Sequence, residues 1–142
     1  MRIKTLLLSG LLAILPGLLQ ASAELTLNVT LEGGKPGEGE FVVGLFDAED
    51  AWLKDVVREI RVPVSEDGTA EISFEALPAG TYAISTYQDR NLNGKIDTNF
   101  VGIPKEPYAF SNEARGMFGP AKFKDAAFEL VESDETVAIR YP

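Results

Sequence analysis

The chain has no cysteine and no histidine in its 142 residues. Without thiols it can form no disulfide, so an exported form must hold itself by packing, or by packing plus a metal. Without imidazole it lacks the usual general base near neutral pH and the commonest transition-metal ligand. Zinc, copper and iron–sulfur sites have almost nothing to bind to, and only hard ions that prefer oxygen remain. Basic residues are scarce as well: 13 Lys and Arg against 22 Asp and Glu leave a formal charge of −9. An acidic surface repels phosphate backbones and anionic headgroups, which argues against nucleic acid as a partner. There is no internal repeat, no low-complexity tract and no sustained helical period. No nucleophile–base motif is present either.

What is there begins with a leader. Arg2 and Lys4 precede an apolar run over residues 6–19 that contains Pro16, and Ala21-Ser22-Ala23 supplies the small residues a signal peptidase accepts. That pattern predicts a secretory signal over residues 1–23 and a single domain over residues 24–142. The run is shorter than the roughly 20 apolar residues that span a bilayer. The expected location is therefore the periplasm or the outside of a bacterial cell, with no stable membrane insertion after cleavage.

Short segments of period two follow, the signature of strands with one wet face. Leu25, Leu27, Val29 and Leu31 alternate with polar residues. Residues 41–46 form an apolar run that suits a buried strand, and Asp47 suits the N-cap of a brief helix ending near Lys54, with Glu49 and Asp50 in its first turn. Trp52 on that helix suits a lid over the core better than a ligand platform. Ile60, Val62 and Val64 point one way in a strand that Pro63 confines to a sheet edge. A turn at Ser65-Glu66-Asp67-Gly68 then completes a hairpin with Ala70, Ile72 and Phe74 inward. Residues 81–88, 126–131 and 136–141 are the last strands. The expected fold is all-β: a single antiparallel Greek-key β-sandwich of immunoglobulin or prealbumin type. It has about seven strands, one short helix and a long ordered loop.

The chemistry concentrates after the strand at 81–88. Asp89, Asn91 and Asn93 are spaced by two and followed by Gly94, Lys95 and Asp97. In calcium loops of this kind, side-chain oxygens at positions 1, 3 and 5 and a backbone carbonyl at position 7 converge on the ion. Glycine at 6 allows the turn, and position 9 contributes directly or through water. That assigns Asp89, Asn91, Asn93, Lys95 (through its carbonyl) and Asp97 as metal ligands, with a structural calcium ion as the cofactor. Position 12 is Phe100, which cannot ligate, so a carboxylate is borrowed from elsewhere, Glu106 being the nearest. The same residue types also build ordinary metal-free Asx turns.

Residues 98–123 then run as one long loop, studded with Phe100, Tyr108, Phe110, Phe118 and Phe123. A loop of this length in a compact domain is functional or organised by its own side chains. Glu106, Tyr108, Phe110 and Phe118 are its candidate ligand or partner residues, and a cover over one end of the sandwich is the alternative.

The stretches LPAGTYAIS (77–85), DRNLNGKIDTN (89–99), VGIPKEPYAFSN (101–112) and AKFKDAAFEL (121–130) resemble an exported bacterial family, "domain of unknown function 2141". Gln88 departs from the histidine found in many of those relatives. The resemblance implies the fold and export. The LPAGTY step is also similar to that of transthyretin-like sandwiches, which bears on architecture alone. The function expected is a non-catalytic exported module that binds an unknown protein or small molecule at its loop end. The alternatives are a hydrolase using a carboxylate pair from Asp89, Asp97, Glu106 and Asp125, and a transthyretin-like small-molecule carrier.

Overall fold

The computed structural model describes Gly17 and residues 22–142, so most of the expected signal segment lies outside the described residues. Among the described residues eight strands occur: β1 (Leu25–Glu32), β2 (Glu40–Phe46), β3 (Arg58–Pro63), β4 (Ala70–Leu77), β5 (Gly80–Asp89), β6 (Tyr108–Phe110), β7 (Phe128–Leu130) and β8 (Glu135–Arg140). They form two sheets. One has the order β4-β1-β8, and the other runs β3-β2-β5-β6 with β7 beside the start of β5. The all-β sandwich stands as expected, but one pair departs from the antiparallel pattern: β1 and β8 are parallel, with Leu27 opposite Glu135 and Leu31 opposite Ile139.

The inner faces follow the period-two reading. Leu25, Leu27, Val29 and Leu31 from β1 meet Phe41, Val43 and Leu45 from β2, with Phe74, Leu77, Tyr82, Ile84 and Ile139 completing the core. Tyr141 stacks on Phe41 at a centroid distance of 4.9 Å. Its buried hydroxyl lies 2.6 Å from Thr86 Oγ1, and burial pushes that phenol well above the usual tyrosine range. β2 is buried on both faces because the outer face of its sheet is covered too. There Ala83, Phe110, Ala121 and Ala126 form a second cluster with Trp52 and Phe123 against it. Trp52 is the lid expected of it: its ring lies edge-on to Phe46 and Phe123, and its Nε1 donates to Ala121 O at 2.8 Å.

Three local expectations are corrected. The helix foreseen at residues 47–54 is a run of turns. Asp55 N donates to Ala51 O (2.9 Å), but Leu53 takes a φ of 59°, and a left-handed residue cannot continue a right-handed helix. The one short helix lies instead at α1 (Phe123–Ala126). The turn at residues 65–68 does not close a hairpin: β3 pairs with β2 and β4 with β1, so the chain crosses between sheets there. Pro63 does lie on an edge strand, since β3 ends its sheet. Finally, the loop foreseen over 98–123 is interrupted by β6, which pairs with β5 through Ser85–Phe110 and Tyr87–Tyr108. Its second half folds back as a cover, tied down by Ser111, whose Oγ donates to Ala126 O (2.6 Å) and accepts from Ile84 N (2.9 Å).

Candidate functional site

β5 ends in two fully buried polar residues, Gln88 and Asp89. Gln88 Nε2 donates to Lys35 O and Glu38 O at 2.9 and 2.7 Å, and its Oε1 accepts from Lys35 N at 2.7 Å. One side chain thus satisfies three backbone groups of the β1–β2 connection. A neutral imidazole, with one donor and one acceptor, would satisfy two. The sequence signals this role only by placing an amide at an inward position of a strand.

Asp89 begins the polar loop. Its Oδ1 accepts from Asn93 N (3.2 Å) and its Oδ2 from Gly94 N (2.7 Å). Gly94 turns the chain with a φ of +81°, the left-handed region where a β-carbon is penalised. Glu106 reaches back from beyond the loop and is also buried. Its Oε1 accepts from Arg90 N and its Oε2 from Asp97 N, both at 2.9 Å. Two buried carboxylates therefore hold four backbone N–H groups and fix both ends of the 90–97 segment. A buried carboxylate is tolerable only when hydrogen-bonded in this way.

The third carboxylate, Asp97, faces the asparagines. Asn91 Nδ2 donates to Oδ2 at 2.7 Å, and Asn93 Nδ2 donates to Oδ1 and Oδ2 at 2.8 and 3.0 Å. The bonds from Asn93, then Asn91, hold the Asp97 carboxyl below the usual aspartate range, and the Lys95 and Lys105 ammonium groups act in the same direction. Asn91 Oδ1 accepts from Asn93 N at 3.3 Å, and Asn93 Oδ1 from Lys95 N at 3.2 Å, both long bonds.

The five sequence-predicted metal residues thus come together in one loop. Glu106, expected as a borrowed metal ligand, reaches the same loop with its two oxygens on backbone amides. Among the described residues no group of three or more acidic side chains is gathered to hold a metal. The loop wraps around Asp89, and two carboxamides converge on Asp97. An amide turned over presents oxygen where it now presents nitrogen, at the cost of its bonds to Asp97 as well as of the long bonds. An open cleft of about 590 Å³ lies beside this clamp, lined by Glu38, Arg90, Asn91, Asp97, Thr98 and Lys105 next to Glu106.

Beyond Asp97 the chain makes a small hairpin. Thr98 bridges to Pro104, Lys105 N donates to Asp97 O (2.8 Å), and Asn99 N donates to Ile103 O (2.9 Å). Asn99 Oδ1 accepts from Val101 N and Ile103 N, both at 3.0 Å. This ordered tip presents Phe100 to solvent at 100% exposure, with Val101 at 62% and Ile103 at 59%. From sequence, Phe100 counts among the loop aromatics and as a position that cannot ligate, but not among the candidate partner residues; its signal is an apolar residue between turn-forming asparagine and glycine.

The four candidate partner residues do not form one patch. Glu106 belongs to the clamp. Tyr108 is exposed and lies edge-on to the buried Phe110 at 5.8 Å, where both line a second cavity of about 550 Å³ with Arg115, Arg140 and Tyr141. Phe118 stands in solvent in the covering loop and lines neither cavity. β6 keeps Tyr108 and Phe110, two residues apart, on one face, while Glu106 precedes that strand and Phe118 follows it in the covering loop.

These features define a two-sheet β-sandwich with a hydrogen-bonded polar loop at one end. The chain belongs to the family of uncharacterized proteins conserved in bacteria, DUF2141, whose family model matches residues 29–138. Comparison with the curated proteins gave no match. Among solved structures, the major plantain pollen allergen Pla l 1 is similar at 12% identity and a TM-score of 0.32, over 84% of this chain and 94% of that one. A likeness of that size carries no argument.

Proposed function

We propose that this protein is an exported, non-catalytic module that binds a partner or ligand through its loop end, with the Asp/Asn loop as a weak structural calcium site. The observation that carries the reading is the tip at residues 98–104. Its base is held by the Asp89 and Glu106 carboxylates, its backbone is closed on itself, and its Phe100 side chain is wholly in water. A mobile loop could fold such side chains against the protein. An ordered hairpin that keeps them outward is the arrangement of a contact surface.

The non-catalytic half is supported by the state of the carboxylates. Asp89 and Glu106 each have both oxygens on backbone N–H groups, which fixes both carboxylates as acceptors that shape the loop. Asp125 is exposed in α1, on a different part of the chain. The calcium half is supported by the loop wrap and by the carboxamides converging on Asp97. A loop with two formal charges binds calcium at roughly 10⁻⁴ to 10⁻³ M, as extracellular modules do. Export is supported by the leader pattern of residues 1–23.

Photo-crosslinking in the producing cell tests the contact surface. A benzophenone side chain at position 100 should give protein or lipid adducts. The same group at Val131, a half-exposed apolar position at the other end of β5, should give none. Absence of any adduct at position 100 would overturn the reading.

A further inference from the structure

Resting on that reading of the loop end, we propose that the surface it contacts is a phospholipid bilayer. Phe100, Val101 and Ile103 would enter the headgroup boundary, and Lys95 and Lys105 would meet the lipid phosphates. Shape is the first argument. The tip is convex and its exposed apolar content is three side chains, far short of the roughly 800 Å² and 20–30 residues per side of a stable protein interface. A bilayer accepts a small convex apolar tip without needing a matching pocket.

Charge is the second argument. Residues 98–104 contain no acid, and exposed Lys95 and Lys105 flank them. Both ammonium groups act on the Asp97 carboxyl at the base of the tip, so both lie close to it. The other acids near this base are occupied. Glu106 is buried on two amides, and Glu38 pairs with Arg90 at 2.5 Å. Farther back at this end of the sandwich, Glu40 pairs with Arg61 and Glu32 with Arg140, while Glu66 and Asp67 lie in the β3–β4 turn. The chain as a whole carries −9, which opposes approach to an anionic surface. At physiological salt, however, charges farther than about 8 Å from the headgroups are largely screened, and the lysine pair at the tip decides the local sign.

Vesicle co-sedimentation tests this with the chain beginning at Glu24, which holds every strand and helix described. Vesicles of phosphatidylethanolamine and phosphatidylglycerol should retain the protein. Phe100→Ser with Val101→Ser should lower retention about tenfold or more, the scale expected for losing one large buried apolar side chain, and Val131→Ser should leave it unchanged. Lys95→Glu with Lys105→Glu should weaken retention on these vesicles and have little effect on purely zwitterionic ones. Equal retention of wild type and the tip variant, or none by wild type, would overturn the bilayer proposal. If protein adducts still formed at position 100 in the cell, the contact-surface reading would stand without the bilayer. If no adduct formed there, both would fall.

Discussion

Replacing Glu106 should damage the loop end more than any other single change there. Its side chain is buried, and its two oxygens are the acceptors for Arg90 N and Asp97 N at 2.9 Å each. Glu106→Ala leaves both amides without their partner. A buried donor left unsatisfied costs about 1–3 kcal/mol. The loop lies at the surface and water can enter on truncation, so the lower half of that range applies to each, or about 2–4 kcal/mol together. For a domain of this size 1 kcal/mol moves the melting point by roughly 3–6 °C, so Glu106→Ala should lower it by about 6–24 °C. Glu106→Gln keeps one carbonyl acceptor and nearly the same volume, and should show about half that loss. The assay is thermal unfolding followed by circular dichroism, with amide exchange read at residues 90 and 97. Faster exchange should be confined to the loop in Glu106→Gln. A melting point within about 1 °C of wild type in Glu106→Ala, with exchange at Arg90 and Asp97 unchanged, would refute the clamp.

Two glycines should separate conformational cost from collision. Gly94→Ala meets nothing nearer than Arg61 Nη1 at 3.8 Å and should cost about 1 kcal/mol for its positive φ alone. Gly39→Ala also has a positive φ but would place its β-carbon 2.0 Å from Asp89 O, so its denaturation midpoint should fall much further. Calcium at about 100 times its dissociation constant should add about 2.7 kcal/mol, visible as a raised melting point that Asp97→Asn removes, whereas equal melting in calcium and chelator would leave the metal-free turn. Because the folded-state pKa of Asp97 is lowered, its contribution is fully present above the ordinary aspartate value near about 3.9 and is lost as pH falls through the lowered value. Asp97→Asn should therefore flatten the stability profile below about pH 4, leaving the part due to Asp67, which Ser65 and Thr69 hold low in the same way.

Much of the sandwich was legible because period two is a short-range signal. Leu27, Val29 and Leu31 face inward, Pro63 marks an edge, and the apolar run of β2 lies between two covered faces. Pairing was less legible. Nothing local distinguishes a hairpin at residues 65–68 from a crossing between sheets, since both need the same turn, and the parallel partnership of β1 with β8 joins the two ends of the domain. The helix at 47–54 failed because capping and first-turn acids are local preferences, while the position of Trp52 is set by Phe46, Phe110 and Phe123. In the loop, Asn91 and Asn93 meet Asp97 through their side chains, while Asp89 accepts from the backbone of Asn93 and Gly94. The role of Glu106 as an acceptor for amides sixteen and nine residues away depends on β6 returning beside β5, which no local pattern encodes.

The length of the β5–β6 connection is itself an argument for the loop end. β5 and β6 are antiparallel neighbours, and such strands need only about 2–5 residues to join them. Here residues 90–107 intervene, and the longer path exposes Phe100, Val101 and Ile103 at its far point. It also requires two carboxylates out of water, a burden relieved only by the four amides they accept from. A short turn would avoid both costs and leave the sandwich core intact, because none of residues 90–107 belongs to the main core cluster. The stabilising bonds of Asp89 and Glu106 therefore serve the tip rather than the fold. Replacing residues 90–105 by a two-residue Asn-Gly turn, which keeps Tyr87 opposite Tyr108, should give a folded domain that has lost its contacts at the loop end, and failure of that variant to fold would show that the loop is part of the scaffold.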